Sequence, residues 1–292
     1  MFNATRQDWG LTYKAILSSI RFNGILLGKS KTLYNLYFEM TPNEVFILPE
    51  KNWKWAFVEL FDRFNSQYEN PGDSYQFRPH WKTKLEKEGG KFIYNYHDRL
   101  WPSITNAIDI LHKNKYERDA VISIFNSNDT ERPKGTRTPC TQTLHLYTDH
   151  NGFINMHVNM RTNDVVNLLI YDVFHHSMIL NYVCGVLDKP VGKYSHFTPI
   201  AYYQKKREER GYIDRMLDSE IKVYHKLGDG ITELDFSNFT DSCNAGIMSR
   251  KFFSSDVMED ITSSVISLLF KEDSIKFKNE FFNKVFKREE NQ

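Results

Sequence analysis

"QTLHLYTDHNGFINMHVNMRTNDVVNLLIYDVFHHSMIL" runs from Gln142 to Leu180 and changes its period part-way. Up to Arg161 it reads as two strands around an Asp-His-Asn-Gly turn, since Asn-Gly between apolar alternations is a hairpin signal. On the second strand Ile154, Met156, Val158 and Met160 alternate with polar residues, which turns one face to a core. From Leu168 to about Leu187 the alternation stops and a largely apolar helix follows. A carboxylate, Asp172, stands inside that run, and burying one is costly unless something pairs with it.

The flanking segments add both element types. "KNWKWAFVELFDRFNSQY" (51–68) places Trp53, Phe57, Leu60, Phe61 and Phe64 at helical spacing, with Glu59, Asp62 and Arg63 read as solvated. "SITNAIDILHKNK" (103–115) is a second helix and "AVISIF" (120–125) a buried strand. "KYSHFTPIAYYQ" (193–204) is a strand, and "KKREERGYIDRMLDSEIKVYHKL" (205–227) reads as one exposed charged helix. Strands and helices intermix without a regular βαβ beat, so the fold class is α+β. Residues 228–292 are less patterned, then give two amphipathic helices around 256–270 and 275–287. This extension is expected to pack on the domain formed by residues 1–227.

The 292 residues are 40% hydrophobic and 15% aromatic, enough for a large core. The net charge of +1 gives no global attraction to nucleic acid or acidic membranes. Three cysteines, odd in number and without a CxxC pair, argue against a disulfide framework or a structural zinc site and fit a reducing cytosol. The start "MFNATRQDWG" lacks a signal-peptide pattern, and no run of about 18 apolar residues exists. A cytoplasmic protein without metal is the expectation.

In "GTRTPCTQ" (135–142), Cys140 is either a small buried hydrophobe or a nucleophile assisted by Arg137 three residues earlier. Cys184 and Cys243 read as structural. In "MRTND" (160–164), Arg161 and Thr162 suit a phosphate by charge-assisted hydrogen bonds; the plainer reading is a surface pair between Arg161 and Asp164.

Taken together, the motifs resemble a known family. Pro-Cys, then Arg-Thr-Asn-Asp about twenty residues later, then Asp172 eleven residues after the arginine, resemble the Pro-Cys, Arg-Ser-x-Asp and Gly-x-Pro-Phe-Asn segments of the thymidylate synthase family. "WAFVELFDRF" (55–64) is similar to the family's His-Glu-Leu-Leu-Trp-Phe, which puts Glu59 on the catalytic glutamate. "IYNYHDRLW" (93–101) is similar to Val-Tyr-Gly-x-Gln-Trp-Arg-x-Trp and puts Tyr94 on the active-site tyrosine. "ERDAVISIFN" (117–126) keeps one arginine of the family's pair, Arg118, and replaces the other by Asp119. Arg21, in "SIRFNG", takes the place of the phosphate-loop arginine. The likeness covers about residues 15–205.

The resemblance implies a mixed β-sheet flanked by helices and a homodimer in which Arg118 reaches the partner's phosphate site. It implies a pyrimidine nucleoside monophosphate as substrate and 5,10-methylenetetrahydrofolate as cofactor. Cys140 would add to carbon 6 of the base, Tyr94 would assist removal of the carbon 5 proton, and Glu59 would order water. Arg161, Thr162, Asp164, Arg118 and Arg21 would bind the nucleotide. Tyr202 or Tyr203 would stand at the sugar, with ribose and deoxyribose both open. Trp81, in "RPHWKT", either packs or stacks on the pterin.

One departure bears on the substrate. The family's base-reading asparagine is Asp172 here. Its amide matches uracil, whereas a carboxyl matches cytosine, which offers an amino donor and a ring acceptor. The same change marks the cytidylate and deoxycytidylate hydroxymethylases of the family. The expected reaction is therefore hydroxymethylation of dCMP or CMP at carbon 5. A methylase acting on dUMP or dCMP, and a non-catalytic nucleotide-binding homologue, are the alternatives.

Overall fold

The computed structural model describes residues 2–5, 8–78, 80–81, 86–87, 90–101, 103–131, 138–224, 227, 231–248, 253–271 and 277–286. The 142–161 hairpin forms as read. β7 (Thr141–Thr148) and β8 (Ile154–Met160) pair antiparallel, with Thr148 opposite Ile154. Their turn is shaped by Asp149, whose carboxylate accepts the amides of Asn151 and Phe153, and by Gly152 at φ +89°. β8 is followed by the short β9 (Asn163–Asp164), and the chain returns through a helix, Leu169–Leu187, to the long β10 (Val191–Gln204). β8 and β10 are parallel neighbours, so a crossover is obligatory, and this helix supplies it.

The main sheet runs β1 (Phe2–Thr5), β3 (Ser30–Met40), β10, β8, β7 and β6 (Val121–Ser123), with β2 (Ile25–Leu27) beside β3 and β9 beside β10, while β4 (Glu86–Lys87) and β5 (Lys91–Phe92) pair separately. β1 pairs parallel with β3, β10 pairs antiparallel with β3, and β6 forms the far edge. Parallel and antiparallel pairings in one sheet make it mixed, as expected. α1 (Trp9–Asn23) and α2 (Trp53–Phe64) add to the helical layer, followed by α3 (Tyr96–Leu100), α4 (Ser103–Lys113) and the crossover helix, α5. α5 is buried almost all round, which is why its apolar residues show so little one-sidedness.

Two expectations need correction. Residues 205–227 are not one helix: α6 (Lys205–Glu209) ends and α7 (Tyr212–Asp218) begins around Gly211, which sits at φ +66°. Asp62 and Arg63 of α2 are not solvated; they are 7% and 4% exposed. Asp62 accepts the amides of Asp73 and Ser74 and so anchors the following loop, and burial pushes its carboxyl up to about 7.

The C-terminal segment is helical. α8 (Glu233–Ala245) opens on a reciprocal capping box between Thr232 and Asp235, followed by α9 (Asp256–Phe270) and α10 (Glu280–Phe286). Their aromatic residues meet α2 and the segment before it. Phe236 lies against Phe64 (4.8 Å between centroids), Phe282 against Phe57 (5.1 Å), and Phe281 against both Phe46 (4.9 Å) and Trp53 (5.1 Å). Gly185 of α5 permits close approach: a Cβ there would lie 2.9 Å from the Glu233 nitrogen.

Candidate active site

Cys140 immediately precedes β7 and is half-buried. Arg161, at the exit of β8, wraps it. The Arg161 amide donates to the Cys140 carbonyl at 2.9 Å, Nε to the Pro139 carbonyl at 3.0 Å, and Nη2 to the Thr138 carbonyl at 3.0 Å. The same Nη2 reaches the Cys140 sulfur at 3.7 Å. A guanidinium against a thiol is the surrounding a nucleophilic thiolate needs. Arg137, the cation expected from the sequence, lies outside the described residues. Cys184 and Cys243 are buried, and burial pushes the Cys184 thiol up to about 12.

Two residues beyond Arg161, the Asn163 amide donates to Asp172 Oδ2 at 3.0 Å. β9 fixes Asn163 by pairing with Ala201 and Tyr202 of β10. Asp172 sits in the first turn of α5. Burial pushes its carboxyl up to about 7; nearby Glu59 adds to the rise, while Arg63, the Asn163 hydrogen bond and Arg78 oppose it. His175 and His176, close in sequence, turn elsewhere, to the Ala56 carbonyl and the Thr141 hydroxyl. The segment Arg161–Asn163 thus holds the thiol at one end and the carboxyl at the other.

Glu59, Trp81 and Tyr94 line one cleft. Glu59 receives Arg63 Nη2 on Oε1 at 2.8 Å, while its Oε2 is buried without a partner among the described residues. Tyr94 is 9% exposed, edge-on to Tyr96, and Tyr96 in turn reaches toward Thr141, next to Cys140. Trp81 lies 6.0 Å from Trp55, and the Arg78 guanidinium stacks 3.6 Å over Trp55. Trp81, half-buried on the cleft wall, offers an indole face to a flat pterin, and Glu59 Oε2 offers an acceptor, so the lining fits a reduced folate.

The remaining predicted residues are placed as follows. Thr162 donates to the Ile200 carbonyl at 3.1 Å. Asp164 is not paired with Arg161 but caps the next turn, accepting the Val166 and Asn167 amides. Arg118 is exposed beside the edge strand β6, its carbonyl held by His145. Arg21 is in the last turn of α1, with its guanidinium engaged by Glu208 and Asp214. Tyr203 points inward and donates to Glu208 at 2.9 Å, whereas Tyr202 is half-buried. Sequence reasoning passed over Asn163, Arg63, Arg78 and Tyr96. Arg63 had a signal, since it follows Glu59 by one helical turn. Arg78 had none.

The thymidylate synthase family model matches residues 37–222, which run from the end of β3 through the cleft, Cys140 and Asp172. The chain belongs to the thymidylate synthase family. A solved structure, thermostable thymidylate synthase A from Bacillus subtilis, superimposes with a TM-score of 0.63 at 18% identity, covering 74% of this chain and 86% of that one. That likeness shows the fold. Family membership makes the chain a thymidylate synthase-like one-carbon transferase of nucleotide metabolism. Among the described residues no helix is long and apolar enough to cross a membrane, and no three His, Cys, Asp or Glu side chains group as metal ligands.

Proposed function

We propose that this protein hydroxymethylates carbon 5 of a cytosine nucleoside monophosphate, dCMP or CMP. The observation that carries the reading is the pairing of the Cys140 thiol and the Asp172 carboxyl through one short segment, Arg161–Asn163. A carboxyl that still holds its proton near neutrality donates to the ring nitrogen of cytosine and accepts from its amino group. Uracil would set like groups against each other, and mismatched buried groups carry the desolvation cost.

The Cys140 thiolate adds to carbon 6 and makes carbon 5 nucleophilic. When bound, methylenetetrahydrofolate supplies the one-carbon unit; Trp81 would stack on its pterin. Tyr94 assists removal of the carbon 5 proton. Arg161, Thr162 and Arg21 serve the phosphate, together with Arg118 of a second copy. Tyr202, half-buried on β10, is the better placed of the two tyrosines for the sugar. Residues Tyr37, His157, Asn159 and Phe197 form a half-buried sheet face that suits the docking of that copy.

The test is direct. The purified protein is incubated with methylenetetrahydrofolate and each of CMP, dCMP, UMP and dUMP, and products are weighed by mass spectrometry. A hydroxymethyl cytidylate is expected. Preference for a uridylate, or a methyl product with dihydrofolate, would refute the assignment.

A further inference from the structure

Arg63 is a charge where the family motif has none. His-Glu-Leu-Leu-Trp-Phe carries phenylalanine four residues after the glutamate, and this chain carries arginine. Burying a guanidinium at 4% exposure is costly unless it is paired. Its pair is Glu59: Nη2 to Oε1 at 2.8 Å, across one turn of α2. Its flat face lies 4.3 Å over the Tyr96 ring, which fixes its plane. The pairing is incomplete on both sides. Among the described residues Arg63 Nε and Glu59 Oε2 are both buried without a partner, and both residues line the cleft that Tyr94 and Tyr96 also line. One atom is a donor and the other an acceptor. A water molecule between them would satisfy both, accepting from Nε and donating to Oε2.

Resting on the hydroxymethylase reading, we propose that Arg63 is a positioning residue: it sets Glu59 to hold that water and so commits the reaction to a hydroxymethyl product. After the one-carbon unit has been transferred, the base bears a methylene on carbon 5 and Cys140 on carbon 6. Water adds to the methylene carbon as Glu59 Oε2 takes one of its protons. The methylene π pair moves into the ring, then returns to form the carbon 5–carbon 6 double bond as the Cys140 thiolate leaves with the carbon 6–sulfur pair. The proton on Glu59 passes back to the thiolate. Nothing is oxidised or reduced, and no hydride is needed.

The experiment compares wild type with Arg63→Met and Arg63→Lys. The first readout is the ratio of hydrogen released from carbon 5 to hydroxymethyl product, which an unfolded fraction does not alter. Wild type should match the two one for one. In Arg63→Met release should exceed hydroxymethyl product by on the order of 10²-fold, with added thiol captured at the methylene as a thioether. Arg63→Lys, which restores the ion pair, should recover much of the coupling. The second readout uses ligand-free protein. Carboxyl NMR should show Asp172 titrating above its wild-type midpoint in Arg63→Met, because Arg63 holds it down. Release and product falling together in Arg63→Met, or an unmoved Asp172 titration, would overturn the proposal. Hydroxymethylation of a uridylate by wild type would overturn the base assignment but, with coupling lost in Arg63→Met, would support the role of Arg63.

Discussion

The Arg161 guanidinium lies 3.7 Å from the Cys140 sulfur while its Nε and Nη2 also donate to the Pro139 and Thr138 carbonyls. That geometry fixes the guanidinium to the backbone before any nucleotide arrives. A hydrogen bond involving a charged group is worth about 1.5–3 kcal/mol. Arg161→Ala should therefore slow alkylation of Cys140 by iodoacetamide by roughly 10- to 100-fold at fixed pH. Arg161→Lys should recover part of the rate, since it keeps the charge but not the fork. An unchanged rate in Arg161→Ala would separate the two residues functionally.

Asp172 should decide the base. Asp172→Asn presents an amide that matches uracil, so preference should reverse from cytidylate to uridylate, with cytidylate kcat/KM falling by roughly 10⁴-fold. The pH dependence follows from the raised carboxyl. The protonated form reads cytosine, so wild-type kcat/KM for cytidylate should fall as pH rises through about 7, the value to which burial pushes Asp172. A profile still rising through pH 8 would show that the ionised form is the one used.

Asp62 gives a stability signature apart from catalysis. Its carboxyl is pushed from 3.8 up to about 7 by burial. Between those values the folded chain holds a proton that the unfolded chain has released, so this contribution is full below about pH 4 and is lost as pH rises through 7. Asp62→Asn keeps an oxygen for the Asp73 or Ser74 amide and removes the titration. The stability of wild type relative to Asp62→Asn should decline from pH 4 to pH 7 in urea unfolding. A constant difference would place the Asp62 titration elsewhere.

The hairpin, α2, α4 and α5 were legible because each is strongly periodic or nearly all apolar. Family resemblance brought Cys140, Arg161, Glu59 and Tyr94 together before any geometry was known. What escaped was set by tertiary contact. Arg63 reads as a surface residue until α3 places Tyr96 over it. Asn163 reads as loop until β9 pairs with β10 and turns it to Asp172. α8 carries few apolar residues beyond Phe236 and Phe239, so its sequence shows little helical stripe; its capping box and its contacts with α2 hold it. The split at Gly211 was visible as a glycine, but the long charged pattern around it masked the break.

The C-terminal helices should prove inseparable from α2. Phe281 is fully buried against Phe46 and Trp53, the latter on α2, the helix that also carries Glu59. Removing its ring should leave a cavity rather than a solvated surface. Phe281→Ala should therefore cost about 3–5 kcal/mol, read as a lower urea midpoint at unchanged slope. Truncation after residue 232 would also expose Phe57, Phe61 and Phe64, which Phe282, Phe239 and Phe236 now cover. The truncated chain should be insoluble or bind hydrophobic dyes strongly. A truncated chain that unfolds with wild-type midpoint would make these helices an ornament of the fold instead of part of its core.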